Sequence, residues 1–255
     1  MRIAALGLLV ATLAAGCGGG QAHGVLSDTA KNLGKIHSGD ITLRLVVSPR
    51  HGTKGRIGFE LRGPFALRAG QLPVAKVAYT QIAGAHEGTA TFISTGSRAW
   101  AEVNGSVREL PPASTNAIRQ AAAGGSGGIG SLDIATWVKD PQVTREGNLD
   151  HVTAKLDVVN AANGLLALLR GLGKQAPTIQ GAEADRLQQA VTSSSFDVWT
   201  GKDDRLMRRL LLKAELGLSV PAELRRVLGS VVGAKVDFEL AIAHPNEPVS
   251  VSPPR

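Results

Sequence analysis

Hydrophobic and polar residues alternate along most of this chain. Ile41, Leu43, Leu45 and Val47 are separated by Thr42, Arg44 and Val46, and Ile57, Phe59 and Leu61 by Gly58 and Glu60. A period of two marks a strand with one apolar and one wet face. Pro49-Arg50-His51-Gly52 between the two runs reads as a turn, so they predict an antiparallel hairpin. The same period continues through Phe65, Leu67 and Ala69 after Gly63-Pro64. It returns in Ala75, Val77 and Tyr79, in Ala90, Phe92 and Ser94, and in Ala99, Ala101 and Val103. Asn104-Gly105, a strong two-residue hairpin signal, joins the last of these to 107–110. Consecutive short strands linked by tight turns predict a meander built from local antiparallel pairs, not a parallel α/β sheet.

Helical spacing appears where the alternation stops. Val25, Leu26, Thr29, Leu33 and Ile36 form one apolar stripe, ended by Ser38-Gly39. Pro111-Pro112 breaks the first sheet run, and 113–123 has helical composition. Residues 131–138 read as a short helix, and 142–146 and 151–158 as strands around Gly147-Asn148. The stretch 160–171, with Leu165, Leu166, Leu168 and Leu169, predicts a helix apolar on most of its surface. A more polar helix is expected over 182–192. Strands follow at 196–200 and 206–216 around Gly201-Lys202-Asp203-Asp204, then a helical turn at 221–227 and a strand at 232–242. The ending, 246–254, reads as a short edge strand closed by prolines.

These elements predict an α+β fold: a large curved antiparallel sheet, in effect a half-open β-barrel, with helices covering the concave face. A twisted sheet of this size must curl. Its apolar face would carry Leu43, Leu45, Phe59, Val77, Tyr79, Phe92, Leu156, Leu210, Leu212 and Phe238, the candidate ligand-binding positions. Patterning by itself favours a packed interior, because empty apolar volume costs stability.

The N-terminus changes the picture. Met1-Arg2 is followed by an apolar run from Ile3 to Leu13, then by Ala14, Ala15, Gly16 and the single cysteine, Cys17. This is the layout of a secretory signal. The run is shorter than the ~20 residues needed to cross a bilayer as a helix. A cysteine directly after small residues is the lipobox arrangement. The expectation is therefore a lipoprotein signal peptide at 1–16, then lipidated Cys17 and a flexible tether at 17–24. A single domain at 25–255 would follow. Cleavage by a general signal peptidase, leaving Cys17 as a free thiol, is the alternative. An unpaired exported cysteine needs its own explanation, and lipidation supplies one. Acyl chains there would anchor the protein to the membrane, each buried methylene adding ~0.8 kcal/mol.

The order of signal, lipobox cysteine, tether, helix, antiparallel meander, central helices and terminal hairpin resembles bacterial lipoproteins of the LppX/LprG type. These are related in fold to LolA, the periplasmic lipoprotein carrier. The stretches that carry the resemblance are Leu72-Pro73 with the 75–79 strand, Ser94-Thr95-Gly96-Ser97-Arg98-Ala99-Trp100, and Val152-Thr153-Ala154-Lys155-Leu156-Asp157-Val158. Arg208-Arg209-Leu210-Leu211-Leu212 and Asn246-Glu247-Pro248-Val249 complete them. The resemblance covers most of the chain after Cys17, and none of its motifs is catalytic. It implies a half-open barrel with helices across its mouth and a hydrophobic cavity for acyl chains, and this raises the hollow interior above the packed one. Of individual functional residues, it carries over Cys17 alone.

The net charge of +7 suits an anionic membrane or glycolipid, and equally a solvated basic surface. The cations are spread along the chain without interleaved aromatics, so nucleic acid is not an expected partner. His23, His37, His51, His86, His151 and His244 are scattered, with no pair at metal-ligand spacing on a helix, and no metal or other cofactor is expected. His151 reads as a surface residue at a strand start, and Asp203-Asp204 as turn formers. The glycine-rich 124–130 matches G-x-S-x-G and G-x-G-x-x-G literally, but a helix, not a strand, precedes it, so both matches are discarded. The expectation is a non-enzymatic, membrane-anchored lipoprotein on the extracytoplasmic side, monomeric, that binds and transports lipids or lipidated molecules. Its ligand would be a lipid or lipoglycan, exchanged with an envelope transporter or an acceptor lipoprotein. The alternative is an envelope interaction or stress-sensing module with a packed core.

Overall fold

A computed structural model describes residues 18–50, 55–84, 86–123, 129–171, 175–217 and 233–254. The chain opens with helix α1, Gly18–Leu33. Six strands follow: β1 Ser38–Pro49, β2 Ile57–Ala66, β3 Val74–Ala83, β4 His86–Thr95, β5 Ala99–Val103 and β6 Ser106–Glu109. Helix α2, Pro112–Ala123, and two 3-10 turns, Ile129–Ser131 and Ile134–Trp137, lead to β7 Val138–Glu146 and β8 Leu149–Leu156. Helices α3 Val158–Gly171 and α4 Ala182–Ala190 precede β9 Val191–Gly201, β10 Met207–Leu216 and β11 Ala234–Ala243.

The described strands make one eleven-stranded sheet in the order β6-β5-β4-β3-β2-β1-β11-β10-β9-β8-β7. Every pairing in it is antiparallel. It consists of two meanders fused where β1 pairs β11, and it stays open, with β6 and β7 as its edges. The alternation seen in sequence falls in register across the seam: Leu43 faces Leu240, Leu45 faces Phe238 and Val47 faces Val236. Leu210 and Leu212 continue these rows on β10, and Val198 and Phe196 on β9. These apolar rows therefore share one face, and most of the charged side chains lie on the other, where Val46, Ile82, Ile93 and Trp100 are also buried.

Three helices and the two 3-10 turns cover the apolar face on the β7–β11 half. Helix α1 packs on β7, β8 and the 3-10 turns, α3 on the second 3-10 turn, and α4 on β9. Trp137, Phe196, Leu26, Leu33, Leu210 and Leu240 are fully buried between the layers. The meander β2–β6 has no such cover among the described residues. Tyr79 and Val103 on its apolar face are 40% and 48% exposed.

Several expectations are corrected. The segment expected as a tether is helical from Gly18, and Ala22 in it is fully buried. Ala22, Val25, Leu26, Thr29 and Leu33 share one helix face, and burying that face outweighs the poor helix propensity of glycine. The separate strand expected after Gly63-Pro64 is the end of β2. Gly63, at φ 143°, lets the strand run on. The helix expected over 131–138 is a pair of 3-10 turns, and β7 starts at Val138, with a register break between Lys139 and Gln142 around Asp140-Pro141. The terminal stretch 247–254 is not a strand. It leaves the sheet at Asn246, whose N–H donates to Ser38 O (2.9 Å) and whose Oδ1 accepts from His37 N–H (3.0 Å). The signal segment, Cys17, the helical turn at 221–227 and residues 124–128 lie outside the described residues.

Two glycines make the packing testable. At Gly164 of α3 an added Cβ would sit 2.7 Å from Nε1 of buried Trp137, whereas at Gly24 of α1 it would meet nothing. Gly164→Ala is expected to cost about 1–3 kcal/mol, and Gly24→Ala to stabilise by up to about 1 kcal/mol. Urea unfolding of both variants checks the pair.

Candidate functional site

Helices α3 and α4 do not seal completely onto the sheet. Beneath them, against β1, β8, β10 and β11, lies a cavity of about 120 Å³. Its sheet wall is Leu45, Leu156, Leu212, Ala214, Leu216, Val236 and Phe238. Its helix wall is Val158, Ala161, Ala162, Leu165 and Leu166 of α3 with Leu187 of α4. The α3 positions recur at steps of three and four, which places them on one side of a helix. Ala161 and Ala162 on the helix wall and Ala214 on the sheet wall are short side chains that leave the space unfilled. Lys213 is the one charged residue at this wall, and its place between Leu212 and Ala214 in β10 turns its side chain to the other face.

The roof is fixed by polar contacts outside the cavity. The Asp157 carboxylate accepts from Asn160 N–H (3.1 Å) at the start of α3. Asn163 holds the chain after α3 in both directions, donating to Ile179 O (2.9 Å) and accepting from Ile179 N–H (2.8 Å). Arg170 donates to Ala176 O and Pro177 O (3.1 and 2.9 Å).

All ten apolar positions expected from sequence lie on the same sheet face, but the structure divides them. Leu45, Leu156, Leu212 and Phe238 line the cavity. Leu43 and Leu210 sit in the adjoining row, Leu210 fully buried. Phe59, Val77, Tyr79 and Phe92 belong to the uncovered half. There Phe59 and Tyr79 stack with centroids 6.3 Å apart. Leu45 of the cavity wall pairs directly with Phe59, so cavity and open face form one continuous apolar surface. The positions that sequence reasoning missed are those of the roof. Their signal was the helix apolar on most of its surface, but nothing in the chain said which strands it would cover.

The polar clusters lie elsewhere. His151 is not a plain surface residue: its ring stacks on Trp199 at 4.1 Å and its side chain is 14% exposed. Its Nδ1 lies 2.7 Å from Glu146 and its Nε2 3.1 Å from Asp197. Trp199 Nε1–H also donates to Glu146 (3.0 Å), and Arg209 lies over the Trp199 ring at 5.7 Å. Buried Asp150 pairs with Arg205. Asp204 acts as the expected turn former, accepting from Leu206 N–H (2.9 Å) and pairing with Arg208 (2.6 Å). None of the three tryptophans lines the cavity. Among the described residues, no group of three or more His, Cys, Asp or Glu side chains could hold a metal ion.

No family model matches the chain, and no curated protein does. Solved structures do. One is LprF from Mycobacterium bovis, at 13% identity over 94% of this chain and 99% of that one, with a TM-score of 0.46. Another is the LolA superfamily protein NE2245 from Nitrosomonas europaea, at 10% identity over 89% and 94% of the two chains, with a TM-score of 0.23. Both names fall within the resemblance noted in the sequence.

The Glu146 carboxyl is held below its ordinary range, first by the Trp199 hydrogen bond and then by that of His151. A depressed folded-state value means that its stabilisation is present above about pH 4.5 and is lost as pH falls through that lower value. Glu146→Gln is therefore expected to be less stable than the parent at neutral pH, the gap closing in acid. Urea melts from neutral to acid pH, followed by tryptophan fluorescence, measure that gap.

Proposed function

We propose that this protein binds the hydrocarbon part of a lipid or lipidated molecule and carries it without altering it. The observation behind this reading is the cavity under α3 and α4, whose inward side chains are all apolar and whose wall runs on into the half-exposed face of β2–β5. Water gains nothing there, while an acyl chain gains about 25 cal/mol for each Å² buried. At about 120 Å³ the space is below the ~300–1,000 Å³ of a usual ligand pocket. In this state it accepts a stretch of one chain, the remainder lying over Phe59, Val77 and Phe92. Anchoring through a lipidated Cys17 on the extracytoplasmic side suits such a carrier, as does a monomer that exchanges cargo with an envelope transporter or an acceptor lipoprotein. The small volume favours a second reading, a non-catalytic envelope interaction or stress-sensing module whose interior is essentially packed.

Native mass spectrometry of the full chain, purified from a membrane-containing host, separates the two. A co-purifying mass that organic solvent removes and that fragments as acyl chain is expected. An apo mass that persists after incubation with extracted envelope lipids would leave the packed module. Ala162→Phe, which fills the cavity from its helix side, is expected to abolish the lipid-bound species with thermal stability unchanged or raised.

A further inference from the structure

The face turned away from the helices has a hollow at its centre. On the outer side of β1, Arg44, Val46 and Ser48 alternate with the apolar row. Val46 pairs with Gly58 on one side and Asp237 on the other, and Asp237 with Lys213. Gly58 has no side chain to fill this spot, and a Cβ there would run into the Leu45 carbonyl oxygen. The result is a groove of about 360 Å³ with Val46 and Leu211 in its floor and Arg44, Arg56, Arg209 and Lys213 around it.

Its carboxylates are already engaged. Glu239 pairs with Arg209 (2.9 Å), Asp237 with Lys235 (3.5 Å) and, just outside, Glu60 with Arg44 (3.6 Å). Arg56 and Lys213, both exposed, have no carboxylate partner among the described residues. The groove thus keeps uncompensated positive charge beside the Ser48 hydroxyl. None of the exposed large hydrophobic side chains lies on it, which sets it apart from an apolar protein interface. The groove lies where β10, β11, β1 and β2 run side by side in the middle of the sheet, on the face away from the helices.

We propose that this basic outer face docks on an anionic bilayer, with a phosphodiester head group seated in the groove that Arg56 and Lys213 line. The proposal stands apart from the cavity reading: it concerns the opposite face and holds whatever the interior contains.

The test is co-sedimentation of the full chain with phosphatidylcholine vesicles, with and without phosphatidylglycerol. Taking the difference between the two vesicle types cancels any contribution of the apolar N-terminus. The parent is expected to prefer the anionic vesicles, the more so at low salt. Arg56→Gln and Lys213→Gln should each weaken that preference about fivefold. The double substitution Lys31→Gln with Lys35→Gln, on exposed residues of the helical side, removes the same charge as the Arg56 and Lys213 pair and should leave the preference intact. Equal losses from both pairs would reduce the effect to net charge and overturn the proposal, as would a parent without preference. Release by inorganic phosphate, at an ionic strength where chloride does not release the protein, would make the groove a small-anion site and overturn the bilayer assignment.

Discussion

An eleven-stranded sheet with one aliphatic face has to take that face out of water, and the rest of this molecule follows from how it does so. The two meanders solve the problem unequally. Between β6 and β9 the chain inserts helices and 3-10 turns, of which α3, α4 and the 3-10 turns join α1 over β7–β11 as a second layer. Between β1 and β6 the connections are too short to carry a helix, so that half has little to put over its apolar side chains. A gradient results, from fully buried Leu240 and Leu210 to Tyr79 at 40% exposure. The cavity lies beneath α3 and α4, where both walls carry small residues.

The same alternation that makes one face greasy makes the other ionic. Outer-face pairs such as Arg209 with Glu239 and Lys235 with Asp237 join an exposed cation to a half-buried carboxylate and add little stability individually. Their effect is local, since they use up carboxylates and so decide which cations remain available. At the β7–β9 end the pattern differs. There His151, Trp199, Glu146 and Asp197 interlock three strands through stacked rings and shared carboxylates. That end is fastened by side chains as well as by backbone ladders.

Much of this was legible in the sequence because a period of two depends only on neighbours along the chain. Strand alternation gave the apolar face directly, and all ten positions picked from it share that face. What stayed hidden depends on partners distant in sequence. The helix over Gly18–Leu33 was misread at its start because glycine's local preference was set against a burial that only β7, β8 and the 3-10 turns provide. The roof of the cavity was visible as an apolar helix, but its place over β10 and β11 is a matter of packing. At a strand start His151 reads as a surface residue, whereas its ring is largely buried against Trp199. Its closeness to Glu146 and Asp197 is a matter of register, which no single strand encodes.

The seam between β1 and β11 has a consequence in time. These strands stand side by side at the middle of the sheet, yet they belong to the opening and closing stretches of the described chain. As the polypeptide is made or delivered, β1 can zip onto β2 early but must hold its other edge bare until nearly everything else has emerged. Loss of the last strand would not trim a border; it would split the sheet down its keel into two separate meanders. A protein closed in this order is slow to complete, and until then it carries an open strand edge in need of protection.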